Sequence, residues 1–308
     1  MMMQDRVSIR EVGLRDGLQL ISSRLDTEIK LDWIKAQADA GFAEIEVTSF
    51  VPPSILPQFA DAKPVLEGAQ DIDGLLPTVL VPNLKGAVLA MDAGARKINF
   101  VLSVSESHNM SNVRRSTDDS LAMLREVIAE SNGRGAHSIG VALATSFGCS
   151  IEGDVSEARV AKIAEQVALA GVEEINLADT VGYGDPVQIA RIFRNVSTIV
   201  GTVPLAAHFH DTRGLGLANV MAAYEAGVRR FDAALGGLGG CPFAPGASGN
   251  IATEDTVHLF DRLGVATGID LDRLLDVRRR LVDWLPEERL EGRLFGAGPA
   301  RRTAPGGG

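Results

Sequence analysis

The sequence predicts an α/β fold, a TIM (β/α)8 barrel with a helical C-terminal extension, on three observations. Short apolar runs of β character alternate with longer helical patterns along the 308 residues. The units recur every roughly 30–45 residues, the length needed for a helix to cross over to the next parallel strand. Four helical stretches end in the same punctuation, Ala40-Gly41-Phe42, Ala93-Gly94-Ala95, Ala170-Gly171-Val172 and Ala226-Gly227-Val228. Glycine there supplies the left-handed residue that stops a helix before a strand. Eight units in about 260 residues read as a closed barrel. A doubly wound open sheet is the rival, but no Gly-x-Gly-x-x-Gly opens the first helix, which weakens its nucleotide-binding version.

In chain order, strands are expected at residues 7–11, 44–48, 75–81, 97–104, 138–144, 174–178, 204–210 and 230–234. Helices are expected at 26–40, 83–93, 117–131, 156–170, 186–200, 215–226 and 253–263, and an irregular loop with a short helix at 52–68. From Ile269 the pattern is helical and then fades into a glycine-rich end. One domain over residues 1–295 and a mobile tail over 296–308 are therefore expected.

Composition excludes several classes. The chain is 45% hydrophobic and 23% charged, with a formal net charge of -10. That balance argues against a nucleic-acid partner or a membrane surface, both of which reward a basic face. An anionic substrate needs local arginines or lysines. No run of about 18 apolar residues predicts a membrane span, and the first residues are too short and polar a stretch for a signal peptide. Two cysteines, Cys149 and Cys241, make no disulfide framework, which points to a reducing cytoplasm.

In such barrels chemistry sits at the carboxyl ends of the strands. Arg15 and Asp16 follow strand one, Glu46, Thr48 and Ser49 end strand two, Asp179 follows strand six, His208 and His210 end strand seven, and Cys241 and Asn250 follow strand eight. A lone histidine is more often structural than a ligand. Two at i and i+2 on a strand share a face and can grip one ion, and Asp211 beside them could orient an imidazole. His108, His137 and His258 have no such setting.

Arg15-Asp16 alone could be a surface ion pair. In the glycine-flanked turn Gly13-Leu14-Arg15-Asp16-Gly17 it reads as a metal carboxylate beside a guanidinium for a developing oxyanion. The run from Gly236 to Asn250 could be a connector, yet a cysteine amid glycines suits a mobile lid that carries a thiol. Asn250 could cap a helix or lend its amide oxygen to a hard cation. Glu46 could be structural or could fix Arg15, and Cys149 reads as a buried structural cysteine. Two imidazoles, a carboxylate and an amide suit Mg2+ or Mn2+ better than tetrahedral Zn2+.

On these motifs the chain resembles the 3-hydroxy-3-methylglutaryl-CoA lyases, within the wider group of metal-dependent barrel lyases and Claisen-type synthases. The pieces are Gly13-Leu14-Arg15-Asp16-Gly17-Leu18-Gln19, Glu46-Val47-Thr48-Ser49, Val81-Pro82-Asn83-Leu84-Lys85-Gly86, Ala178-Asp179-Thr180-Val181-Gly182, His208-Phe209-His210-Asp211-Thr212, and Gly237-Leu238-Gly239-Gly240-Cys241-Pro242 through Gly249-Asn250-Ile251-Ala252-Thr253-Glu254-Asp255. The cysteine loop separates the lyases from the synthases.

The resemblance implies Asp16, His208, His210 and Asn250 as metal ligands, Arg15 for the enolate oxygen, and Cys241 as the lid thiol. It implies Glu46 and Asp179 as orienting acids, Arg15, Gln19, Ser49 and Thr180 as substrate contacts, and Glu11 and Glu254 as polar neighbours. His208 or Asp179 would be the base. The implied reaction is cleavage of 3-hydroxy-3-methylglutaryl-CoA to acetyl-CoA and acetoacetate, with Mg2+ or Mn2+, by a homodimer.

The chain departs from the family pattern in places. Leu20-Ile21-Ser22 stands where the lyases continue Asn-Glu-Lys, which removes a basic residue near the acyl-CoA that Arg24 could replace. Gly148-Cys149-Ser150 replaces Gly-Cys-Pro, and Arg213 replaces a common tyrosine. These changes leave a sister lyase for citramalyl-CoA or another 3-hydroxyacyl-CoA open. A Claisen-type synthase and a non-catalytic acyl-CoA-binding barrel are the other readings.

Overall fold

Eight parallel strands close in chain order: β1 (Ser8–Glu11), β2 (Glu44–Ser49), β3 (Leu76–Val81), β4 (Lys97–Ser103), β5 (Ser138–Ala144), β6 (Glu174–Asp179), β7 (Leu205–Phe209) and β8 (Arg230–Ala233), with β8 pairing back onto β1. The computed structural model describes residues 5–135, 137–239 and 249–300. Outside the barrel lie α1 (Thr27–Asp39), α2 (Ala62–Gln70), α3 (Leu84–Asp92), α4 (Glu106–Val113), α5 (Thr117–Gly133), α6 (Glu157–Leu169), α7 (Pro186–Val200), α8 (Gly216–Glu225) and α9 (Thr253–Leu263). The C-terminal extension is α10 (Leu271–Trp284) and α11 (Leu294–Ala297). The expected tail thus begins inside α11, and residues 301–308 lie outside the described residues.

Alternation within each strand separates two cores. In β4, Ile98, Phe100 and Leu102 are fully buried, while Asn99 and Val101 on the opposite face line the barrel cavity. The outer core also buries aromatic pairs such as Phe147 with Phe193 (centroids 5.9 Å apart) and Phe231 with Phe260 (5.2 Å). Trp33 of α1, fully buried, meets Trp284 of α10 at 6.2 Å and seats the extension on the barrel. Losing such a side chain costs roughly 3–5 kcal/mol.

The barrel interior is charged rather than filled by branched apolar residues. At its base Lys97 pairs with Glu44 (2.8 Å) and Glu174 (3.1 Å), and Arg230 pairs with Glu174 (2.5 Å). These four come from the first positions of alternate strands, the layering of a (β/α)8 interior. Above them Arg10 reaches down to Glu174 (2.8 Å) and Glu44 (3.1 Å) and up to Asp232 (2.8 Å). The next layer holds Glu46, Asn99, Asn176 and Asp232. Buried ion pairs add little net stability, yet removing one partner strands the other charge. The column therefore fixes where each group above it points.

Helix α4 has no counterpart in the expected elements. Its segment, Glu106 to Val113, lacks an apolar stripe, and polar contacts hold it instead. Ser105 caps it by accepting from His108 N (3.2 Å), and the buried Asn109 accepts from Ser103 N (2.8 Å) and donates to Ser120 Oγ (2.8 Å). Among the described residues no helix is long and apolar enough to cross a membrane.

Candidate active site

The strand ends converge on a cavity of about 430 Å3. Arg15 and Asp16 reach its floor from a single π-helical turn, Gly13–Gly17, directly after β1. Val12 O accepts from three successive amides, those of Arg15 (3.1 Å), Asp16 (2.7 Å) and Gly17 (3.3 Å), which winds the turn tightly. Gly13 is required by close approach, because a Cβ there would lie 2.6 Å from Glu11 Oε1.

Arg15 donates from Nε to Glu46 and from Nη1 to Asp16 Oδ1 (2.5 Å). The second Glu46 oxygen accepts from Asn99 Nδ2 at 2.8 Å. Both Glu46 oxygens are thereby engaged, and the carboxylate acts as the bracket for Arg15. Burial opposes ionisation of Asp16, but Arg15 and the two imidazoles outweigh it and hold the carboxyl well below the usual range.

Asp16 Oδ2, His208 Nε2 and His210 Nε2 form one cluster. The two nitrogens are 3.2 Å apart, and Asp16 Oδ2 lies 3.6 Å from His210 and 4.0 Å from His208. Neighbouring donors around a divalent ion with bonds of about 2.0–2.2 Å lie about 3 Å apart, so three converging lone pairs at these separations fit one. Asn250 lies beside His210 as an isolated bridge, with Ile251 N donating to Phe209 O (3.1 Å). Asn250 Nδ2 donates to Asp16 Oδ2 (2.8 Å) and Leu238 O (3.1 Å), while its buried Oδ1 has no partner among the described residues. Helix α9 starts at Thr253 with Ala252 at its cap position, so Asn250 is not a helix cap. The amide touches the triad through Asp16, and its orphaned oxygen is a buried acceptor that could join two nitrogens and a carboxylate oxygen around a cation.

Asp232 of β8, absent from the residues expected at the rim, is the carboxylate that orients an imidazole. Its Oδ2 lies 3.3 Å from His208 Nδ1 and accepts from Asn176 Nδ2 (2.6 Å), and its Oδ1 accepts from Arg10 Nε (2.8 Å). Burial opposes its charge, but Arg10 and His208 outweigh this and keep it ionised. A carboxylate only accepts, so His208 Nδ1 carries the proton and Nε2 presents its lone pair to the cluster. The available signal was the alternation of Arg230 and Asp232 on the inward face of a strand. Asp211, expected beside the histidines in this role, instead accepts from Gly216 N at the start of α8 (2.7 Å).

Other expected residues divide by placement. Gln19 and Thr180 line the cavity, and Thr180 Oγ1 accepts from Thr145 N (2.9 Å). Ser49 does not line it; a bulge after Glu46 shifts the β2 register, and the Ser49 hydroxyl donates to Leu80 O (3.1 Å). Asp179 does not line it either, because its two oxygens accept from Tyr183 N (2.8 Å) and Gly184 N (3.1 Å). Burial pushes its carboxyl up.

Glu11 ties three segments together. It accepts from Gly13 N (2.8 Å), Leu235 N (2.9 Å) and Thr253 Oγ1 (2.7 Å), and burial pushes it up to about 7. Glu254 accepts from Gly236 N (2.9 Å) and Arg278 Nε (3.1 Å). His108, left without context by the sequence, lines the cavity with Nδ1 2.8 Å from Ser103 Oγ. Cys149 is buried and accepts from Ser105 Oγ (3.1 Å), as a structural cysteine should. Arg213 stacks on Tyr183 at 4.4 Å and donates to Val181 O (2.9 Å).

Cys241 lies outside the described residues. The described residues on either side, Gly239 and Gly249, meet beside Asn250. A Cβ on Gly249 would fall 2.0 Å from Gly239 O, and one on Gly239 would fall 3.1 Å from Asn250 Nδ2. Gly239 also has a φ of 116°, open to glycine alone at little cost.

Comparison with known proteins bears on this geometry. The HMGL-like family profile matches residues 6–281. The chain is 40% identical to the mitochondrial hydroxymethylglutaryl-CoA lyase of Arabidopsis thaliana over 87% of its own length and 57% of that protein's, so it spans little more than half of that relative. It is 42% identical to the (R)-citramalyl-CoA lyase of Chloroflexus aurantiacus, over 91% of this chain and 90% of that one. An HMG-CoA lyase from A. baumannii, solved with coenzyme A and 3-methylmalate, superposes with a TM-score of 0.91 at 43% identity and covers 99% of both chains. The chain therefore belongs to the HMGL-like family of carbon–carbon lyases.

Proposed function

We propose that this protein is a divalent-metal-dependent lyase that cleaves 3-hydroxy-3-methylglutaryl-CoA to acetyl-CoA and acetoacetate. One observation carries the reading: Asp16, His208 and His210 converge at a cavity floor where Arg15 also stands, with Asn250 bonded to Asp16 and its buried Oδ1 orphaned. Mg2+ or Mn2+, held by those four residues, would supply Lewis acidity to the substrate hydroxyl and an adjacent oxygen. Arg15 is held by two carboxylates through only part of its fork and offers its remaining N–H groups to the thioester enolate oxygen. Neither expected base is free for that role: Asp179 does not line the cavity, and His208 holds its Nδ1 proton against Asp232 and would give its Nε2 lone pair to the metal. The Cys241 thiol, on a loop rooted beside Asn250, would return a proton to the enolate carbon. Gln19 and Thr180 would touch the acyl group, whereas Ser49 and Asp179 would shape the rim from behind. We place the enzyme in the cytoplasm as a homodimer, which sedimentation would check.

A citramalyl-CoA substrate is the second reading, favoured by the 42% identity to the C. aurantiacus lyase and by the apolar Leu20 in the cavity wall. Acetyl-CoA release from both thioesters, with Mg2+ or Mn2+ and after EDTA, is the test. Faster turnover of citramalyl-CoA would reassign the substrate. Undiminished cleavage after EDTA would remove the metal, and cleavage of neither thioester would refute the lyase.

A further inference from the structure

The C-terminal extension carries a buried charge that the chemistry above does not use. Arg278 of α10 is 3% exposed and pairs through Nε with Oε1 of the fully buried Glu254 of α9 (3.1 Å). Its Nη2 donates to Glu291 O (3.3 Å), and its guanidinium stacks on the Phe295 ring at 4.4 Å. Residues 291–295 thus pack against α9, where Asp255 also accepts from Arg293 N (2.7 Å) and Leu294 N (2.8 Å). A buried ion pair adds little net stability, so the value of this one lies in what it holds.

What it holds is Gly236, in the turn directly after β8. Gly236 N donates to Glu254 Oε2 (2.9 Å), and Gly236 O accepts from Glu291 N (2.6 Å). Both partners are bonded in turn to Arg278. Gly236 sits in the left-handed region (φ 67°, ψ 17°), and a Cβ there would fall 2.8 Å from Arg278 Nε. One arginine therefore secures both polar groups of this residue and closes the space beside its Cα. Two residues on, Leu238 O accepts from Asn250 Nδ2 (3.1 Å), whose second bond runs to Asp16 Oδ2 (2.8 Å). With both Nδ2 protons engaged, these two acceptors set the direction of the orphaned Asn250 Oδ1. Every link from Arg278 to Asp16 is a covalent or a hydrogen bond.

We propose that Arg278 is a positioning residue for the metal site: through the Gly236 turn it sets where Asn250 points, and the C-terminal extension thereby tunes cation affinity. The inference rests on the metal reading above. Arg278, Glu254, Glu291 and Phe295 all stand away from the cavity lining, so their effect on the site travels through the turn. A purely structural clasp would lower the melting temperature and leave cation affinity alone. A positioning role lowers the affinity of protein that is still folded.

The test measures Mn2+ affinity by electron paramagnetic resonance, well below the melting temperature, for the wild type, Arg278→Gln and Arg278→Lys. Arg278→Gln should weaken Mn2+ binding roughly ten-fold. Arg278→Lys keeps a charge for Glu254 but loses the planar fork, and should recover part of that loss. Should Arg278→Gln fail to fold, Phe295→Leu removes only the ring stacked on the guanidinium and should weaken Mn2+ binding about two- to five-fold. Wild-type affinity in whichever of these two variants folds overturns the proposal. The Mn2+ readout does not depend on which thioester is cleaved. Should the wild type bind no Mn2+, the metal reading fails instead, and hydrogen exchange of the 234–238 amides decides the clamp alone. Faster exchange in the folded variant supports it, and unchanged exchange overturns it.

Discussion

Replacing Asp232 with asparagine keeps the size of the side chain and changes what it can accept. Arg10 always donates, so the new amide oxygen takes the place of Oδ1 and the new NH2 group faces His208 Nδ1 and Asn176 Nδ2, which both donate in the native structure. His208 then relieves the clash by giving up its Nδ1 proton and carrying one on Nε2, the atom 3.2 Å from His210 Nε2 and 4.0 Å from Asp16. A protonated Nε2 has no lone pair for an ion. Loss of such a supporting carboxylate costs about 10- to 100-fold in metal affinity, or about 1.4–2.7 kcal/mol. The fold should survive, because Arg10 retains Glu44 (3.1 Å) and Glu174 (2.8 Å). The melting loss should therefore stay below the roughly 3–5 kcal/mol of a fully broken buried pair. Mn2+ titration followed by electron paramagnetic resonance, beside a thermal melt, measures both quantities. Wild-type Mn2+ affinity in folded Asp232→Asn would refute the tautomer argument.

Three further outcomes are expected. Glu11 rises on folding from an ordinary 4.5 to about 7, so its stabilising contribution is complete below pH 4.5 and is lost as pH climbs through 7, by at most about 3 kcal/mol. Glu11→Gln should flatten that part of the stability-against-pH curve in urea melts, and an unaltered slope would contradict the assignment. Glu46→Gln should lower kcat by roughly 10- to 100-fold with little change in KM, since it frees Arg15 rather than touching substrate; a pure KM effect would place Glu46 on the substrate instead. Cys241→Ala should melt like the wild type and lose most acetyl-CoA turnover, and full activity in that variant would end the lid-thiol role.

Much of the site could be read from chain order. The pattern of strand, helix and Ala-Gly punctuation placed eight strands to within a residue or two, because period-2 and period-3.6 burial write themselves into apolar spacing. The barrel rule then put Arg15, Asp16, Glu46, His208 and Asn250 on one rim. Helix α4 escaped because hydrogen bonds of Ser105 and Asn109, not apolar spacing, hold it. Ser49 and Asp179 were placed correctly at the rim, but a strand position does not reveal that a hydroxyl turns to Leu80 O or that a carboxylate is spent on two amides.

What the sequence determined by itself is the architecture and the chemical types at the rim, since both follow from local periodicity and from order along the chain. The tertiary structure alone decided which polar groups are already satisfied and which still face the cavity. Asp232 serves His208 across a strand pair, and Asp211 turns to a helix start. Hydrogen-bond and charge satisfaction depend on partners tens to hundreds of residues away, and only closing the barrel brings them together.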